Sequence, residues 1–290
     1  MSYALLIISA ILIAANFITN KVYQKNEGAT VESSLKFNVL SALFTVIIFL
    51  IINKFQIEFN GFSFLMSFIT TCCCVAYTII GFKIIKEGQV ALYTFFLMTG
   101  GMLVPYLLGV LFLNEQITFL RILGLIIITI SVFLVNPGIG KTGGKTVLMC
   151  ISVFFLNGFV SVFSKLHQIY PMAISSSGFV LLGGIIKFLC CYILYYFIAP
   201  KRKKDTAKTV KSYKRAAVVI AFVSAFISGV SYLFQLMGAK EIDATVLYPI
   251  ITGGSIFFTT VAGWMFLKEK PTKKMVFSVI MCFVGTCMFL

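Results

Sequence analysis

Runs of about twenty apolar residues recur along this 290-residue chain, separated only by short polar connections, and few folds accommodate that pattern. The hydrocarbon layer of a bilayer is roughly 30 Å thick, a distance that about 20 apolar residues cross as a helix. A transmembrane barrel would instead show segments of about ten residues with alternating polarity. The runs here are continuous, so helices, which satisfy their own backbone in lipid, are expected. Spans at residues 2–22, 33–53, 62–85, 89–113, 118–136, 146–166, 172–199, 215–238, 244–267 and 273–290 predict an all-α integral membrane protein with ten transmembrane helices. Only 11% of the side chains are charged, against about a quarter in soluble domains, so no sizeable aqueous domain remains. Residues 2–22 lack the basic start of a signal peptide and are read as a retained first span.

The turn-rich stretch from Asn136 to Lys145 separates five spans from five. The expected division is a first five-helix repeat over residues 1–138, a linker over 139–145 and a second repeat over 146–290. Both halves carry the same landmarks in one register. Lys86, Glu87, Gly100, Gly109, Phe112, Leu113, Glu115 and Thr118 recur 154 positions later as Lys240, Glu241, Gly254, Gly263, Phe266, Leu267, Glu269 and Thr272. Lys21 and Gln24 recur 144 positions later as Lys165 and Gln168, and the long basic connection after Pro200 absorbs the difference of ten. A register shared over more than thirty residues points to duplication.

An odd number of spans per half threads the second copy in the opposite sense, giving two inverted repeats, the plan of many secondary transporters. The basic residues agree with that threading. Of 24 Lys and Arg, 19 lie in or beside the connections after spans 1, 3, 5, 7 and 9, while the other connections hold Lys54, Arg121, Lys165 and Lys240. Basic residues hold loops on the cytoplasmic side, so both termini are expected outside. The net charge of +15 therefore reads as topology and contact with anionic lipid, and no nucleic-acid partner is expected.

A fourth span containing glycine, ending in Leu-x-Glu and followed at once by a fifth, occurs twice: Gly109 to Glu115 before Thr118 to Val135, and Gly263 to Glu269 before Thr272 to Leu290. In this the chain resembles the EamA-type branch of the drug/metabolite transporter superfamily. The resemblance implies a central cavity between the repeats, lined by spans 1 to 4 and 6 to 9, with spans 5 and 10 peripheral. It also implies cytoplasmic termini, the reverse of the charge count.

Lys187, near the middle of span 7, is the most expensive side chain, since insertion of a basic residue there costs about 2.5–3.5 kcal/mol. It reads as an anchor for an anionic group of a substrate, or else as a lysine that snorkels to the interface or donates to backbone carbonyls. Ser224, Ser228, Ser231 and Gln235 on span 8, and Tyr248, Thr252, Ser255 and Thr259 on span 9, each follow i, i+4, i+7, i+11 and so form one stripe of a helix. Turned inward, the stripes make a wet wall; turned to a neighbour, they are packing contacts. Asn16, Asn20 and Asn157 need partners in hydrocarbon, and Pro105 and Pro249 beside Gly100-Gly101 and Gly253-Gly254 are candidate hinges or close-packing points. The expected substrate contacts are Lys187, Gln235, Tyr248, Thr252 and Asn16.

All nine acidic residues fall at span ends or in connections, which leaves no carboxylate for a mid-membrane proton relay. Glu115 and Glu269 are expected to cap or orient loops. The single histidine, His167, argues against metal and triad chemistry, and the eight cysteines lack a C-x-x-C pair and read as packing residues. Gly-Lys-Thr at 140–142 and 144–146 lacks the upstream glycine of a P-loop. Neither an enzyme nor a cofactor is expected.

The expected function is a secondary transporter of a small polar metabolite working by alternating access, in a bacterial plasma membrane, with a small-molecule substrate and lipid as its partners. The competing expectation is a non-transporting scaffold or lipid-handling protein of the same fold. A cysteine introduced at Thr206, in the basic connection after span 7, should react with an impermeant maleimide in inverted vesicles and not in intact cells; labelling of intact cells would reverse the orientation.

Overall fold

Continuous apolar runs become helices because lipid offers the backbone no other partner. The structure, a computed structural model, describes residues 2–28, 31–87, 90–135, 143–198, 215–267 and 272–290. Those residues form ten helices: α1 (Ser2–Glu27), α2 (Val31–Ile52), α3 (Gly61–Lys86), α4 (Val90–Phe112), α5 (Phe119–Val135), α6 (Gly144–Ile169), α7 (Ser176–Ile198), α8 (Arg215–Glu241), α9 (Ala244–Leu267) and α10 (Lys273–Cys287). Eight of them, α1 to α4 and α6 to α9, are long and apolar enough to cross a bilayer, and α5 is a shorter apolar helix. At 15 residues α10 is shorter still. Most of the expected linker, the basic connection and Glu269 lie outside the described residues, and α6 begins at Gly144, two residues before the expected start of that span.

Helix ends follow local chemistry. The Asn60 carboxamide oxygen accepts the Ser63 amide at 2.6 Å and starts α3, and the Thr272 hydroxyl accepts the Met275 amide at 3.3 Å and starts α10. Inside the helices hydroxyls turn back on their own backbone: Thr78 donates to the Cys74 carbonyl at 2.7 Å and Thr99 to that of Phe95 at 2.7 Å. Pro105 and Pro249 sit within α4 and α9, neither of which is interrupted.

The helices pair in a pattern that survives exchange of each with the one five places on. Thus α1 packs on α8 as α6 does on α3, α1 on α9 as α6 on α4, and α2 on α8 as α7 on α3; α2 with α7, α4 with α9 and α5 with α10 pair with their own counterparts. Individual contacts obey the sequence register. A Cβ on Gly100 would overlap the carbonyl of Phe154, and shifting these residues by 154 and 144 gives Gly254 and Ala10, where a Cβ on the glycine would lie 3.1 Å from that of the alanine. The glycine pairs are therefore points of close helix approach.

The pair α5 and α10 runs antiparallel. Ser131 donates to the Ser278 carbonyl at 2.7 Å and Ser278 returns a bond to the Ser131 carbonyl at 2.6 Å, while two turns away Gly124 meets Gly285 backbone to backbone. Contacts between connections divide the molecule into two ends. At one, the α2–α3 connection bonds the α6–α7 connection through Asn60 Nδ2 and the Met172 carbonyl (2.8 Å), and Ser2 bonds Glu241. At the other, Thr146 donates to Glu87 Oε2 at 2.7 Å.

Gly100→Ala should destabilise the detergent-solubilised protein by about 1–3 kcal/mol, because the backbone of α6 has to move to admit the methyl group. Gly61→Ala, with nothing within 4 Å of its added Cβ, should leave the melting temperature nearly unchanged. Equal melting shifts for the two would contradict the packing.

Candidate functional site

Helix α7 sorts its side chains by side. Leu189, Ile193 and Tyr196 are 52%, 53% and 76% exposed, an apolar face suited to lipid, whereas Val180 and Cys191 are 4% exposed. At 100° per residue Lys187 falls on the second face, with Val180, Gly184 and Cys191. It is half-buried at the midpoint of α7 and electrostatically coupled to Cys191; among the described residues it has no hydrogen bond or ion pair. A lysine in that position faces protein, not the lipid that snorkelling would require.

The remaining expected contacts are distributed over α1, α8 and α9. Asn16 accepts the Ser224 hydroxyl at 2.6 Å, and Thr19 donates to the Asn16 carbonyl at 2.8 Å. Gln235 reaches back to the Ser231 carbonyl and hydroxyl, each at 3.4 Å. Tyr248 is buried and donates to the Ser161 carbonyl of α6 at 2.5 Å. Thr252 is half-buried, and its carbonyl accepts the Ser255 hydroxyl at 2.9 Å. Since Asn16 lies level with Ser224, Gln235 is eleven positions further along α8, or about 16 Å at 1.5 Å per residue. The five residues therefore spread along the bundle and do not converge on one point. Ser231 of the α8 stripe makes a reciprocal pair with Ser9, each hydroxyl donating to the other residue's carbonyl at 3.0–3.1 Å. Ser224 and Ser231 thus join helices.

A tyrosine cluster sits where α3, α4, α6, α8 and α9 approach. Tyr77 interacts with Cys74, Tyr93 and Tyr232; the Tyr232 and Ser164 hydroxyls are 2.7 Å apart; and Tyr248 interacts with Tyr232. Beside it Asn157 donates to the Leu97 carbonyl at 2.7 Å, against Gly101.

Sequence reading missed a polar stripe on α3: Ser63, Ser67, Thr70, Cys74 and Tyr77. Its signal was present, because the 154 register carries Thr70, Cys74 and Tyr77 onto Ser224, Ser228 and Ser231. Ser63 is tied to α6 through His167 Nε2 at 2.9 Å, and His167 Nδ1 lies 2.9 Å from the Gln168 amide. Ser67 and Thr71 face Gly183 of α7, where an added Cβ would lie 3.4 and 3.7 Å from their hydroxyl oxygens. Ser67 Oγ and Thr70 Oγ1 are buried with no hydrogen-bond partner among the described residues.

At the end of the molecule that carries the α8–α9 turn, opposite charges grip it. Lys165, only 5% exposed, donates to the carbonyls of Ala239 and Ile242 at 2.8 and 2.7 Å, ending α8. The Glu115 carboxylate accepts the Ala244 and Thr245 amides, each at 2.8 Å, starting α9. Gly109 leaves room for that carboxylate. Glu115 is the cap read from the sequence, while its counterpart Glu269 lies outside the described residues. A cleft of about 340 Å³ opens at this end, with Arg121 3.9 Å from Asp243 on its wall.

A bundle of ten helices, eight of them long and apolar enough to cross a bilayer, is the architecture of a multi-pass membrane protein. The family model of the EamA-like transporter family matches residues 144–290, half of the chain, and the chain belongs to that family. A solved structure titled "Crystal structure of protein" superposes with a TM-score of 0.73 over 98% of this chain and 96% of its own, at 13% identity, a likeness of fold. No curated protein matches the sequence.

Glu115→Ala should destabilise the protein by about 1–3 kcal/mol by stripping two amides of their acceptor. It should also speed hydrogen exchange at Ala244 and Thr245. Unchanged exchange there would remove Glu115 from the cap.

Proposed function

We propose that this chain is a secondary carrier that moves a small polar metabolite bearing an anionic group across a bacterial plasma membrane by alternating access. The observation carrying this reading is Lys187, a cation at the midpoint of a spanning helix, turned from lipid and lacking an ion-pair partner among the described residues. A charge so placed is costly unless something pairs with it, and a substrate anion does so at each transport cycle. A cationic substrate would meet no counter-charge within the spans, since every acid lies at a helix end or in a connection. Asn16, Gln235, Tyr248 and Thr252 then serve as polar contacts along the path.

Ten spans in two inverted repeats supply the alternation. The antiparallel α5–α10 pair and the five-place exchange of helix contacts support that arrangement. In this reading the Lys165–Glu115 grip on the α8–α9 turn closes one end. By the registers of 144 and 154 the sequence counterparts of that pair are Lys21 and Glu269, the latter outside the described residues. Rocking of one repeat against the other opens and closes the Lys165–Glu115 grip.

Uptake of a panel of anionic, neutral and cationic metabolites into proteoliposomes, with and without a proton gradient, tests the reading. Saturable uptake of at least one anionic solute is expected, with kcat/KM falling at least a hundredfold in Lys187→Ala. Absence of uptake across the panel would favour a non-transporting membrane protein, and unchanged kinetics in the variant would remove Lys187 from the mechanism.

A further inference from the structure

We propose that Ser67 and Thr70 of α3 join Lys187 of α7 in one oxyanion subsite, which receives a carboxylate or phosphate group of the substrate. The inference rests on the carrier reading and adds to it the groups that hold the anion. Helices α3 and α7 run side by side in the same direction: Ser67 and Thr71 face Gly183, Cys72 contacts Cys190, and Cys74 neighbours Cys191. Lys187 is one turn beyond Gly183 and one turn before Cys191 on the same face, which sets it opposite the stretch from Thr70 to Cys74. Gly183 carries no side chain toward Ser67 and Thr71, while Gly184 beside it turns to Thr45 and Val46 of α2.

The two hydroxyls are 1% and 7% exposed, yet neither has a hydrogen-bond partner among the described residues. The repeat explains why. Thr70 corresponds to Ser224, which is satisfied by Asn16; the residue corresponding to Asn16 beside Thr70 is Val160, which offers no acceptor side chain. Two buried donors and an unpaired ammonium within one layer of the bundle supply what an oxyanion needs: hydrogen bonds to its oxygens and compensation of its charge. The second half has no such set, because Ser67 corresponds to Ala221.

Binding to the purified full chain in nanodiscs, read by thermal shift with inorganic phosphate and with succinate as separate probes and glycerol as the neutral control, tests the assignment. Wild type should bind at least one of the two anions, and the tighter one identifies the group. Ser67→Ala and Thr70→Val should each weaken that affinity about tenfold, the loss expected for one hydrogen bond to a charged group. Lys187→Gln should abolish it, whereas Ser67→Thr and Thr70→Ser, which retain the hydroxyl, should preserve binding and show that the site still folds. Failure of wild type to bind either anion, or wild-type affinity in both hydroxyl deletions, overturns the subsite. Uptake of other solutes in the proteoliposome panel would leave the carrier reading standing in that event, so the two failures are distinguishable.

Discussion

A polar group inside a bilayer must find its partner within the protein, and most of this structure can be read as the set of solutions to that demand. Ser9 with Ser231 and Ser131 with Ser278 solve it by reciprocal bonds across antiparallel helices. Asn157 uses a carbonyl of α4, and Lys165 uses the carbonyls of Ala239 in the last turn of α8 and Ile242 just beyond it. Each solution also fixes a helix against its neighbour, so the groups that are costly to bury are those that set the packing. The unsolved cases then stand out. Ser67 Oγ and Thr70 Oγ1 of α3 are among several buried polar atoms with no hydrogen-bond partner among the described residues, and Lys187 of α7 has no ion pair there.

Glycine supplies the approach distances. At Gly100 and Gly254 the backbones of α4 and α9 come against α6 and α1, and the two contacts correspond under the duplication read from the sequence. Prolines in the same helices do not interrupt them. The grip of Lys165 and Glu115 on the α8–α9 turn depends on the same economy, since Gly109 gives the carboxylate its place and the helix ends give both charges their partners. In the proposed carrier cycle, this pair of one lysine and one glutamate is the contact that breaks as helices tilt.

Features governed by local sequence were legible before the structure. Apolar length located the helices, the 154 and 144 registers anticipated the matched glycine contacts, and Glu115 read as a cap because a carboxylate at a span end belongs on amides. What escaped was set by partners in three dimensions. The α3 stripe was overlooked because its chemistry differs from that of α8, with threonine, cysteine and tyrosine standing where serines stand in the other half. Asn16 and Asn157 look alike in sequence, yet one is satisfied by a side chain and the other by a carbonyl. The side to which Lys187 turns followed only from the exposure of Leu189, Ile193 and Tyr196 around it.

The central claim is that the two ends of one duplicated bundle open in turn about a shared polar interior. Two distances in the reconstituted protein test it most directly: one between spin labels at Phe59 and Glu241, at the end gripped by Lys165 and Glu115, and one between labels at Glu27 and Lys145, at the other end. The account predicts that addition of a transported solute shortens one distance as it lengthens the other. Distances that rise and fall together, or one end that never moves, would contradict it.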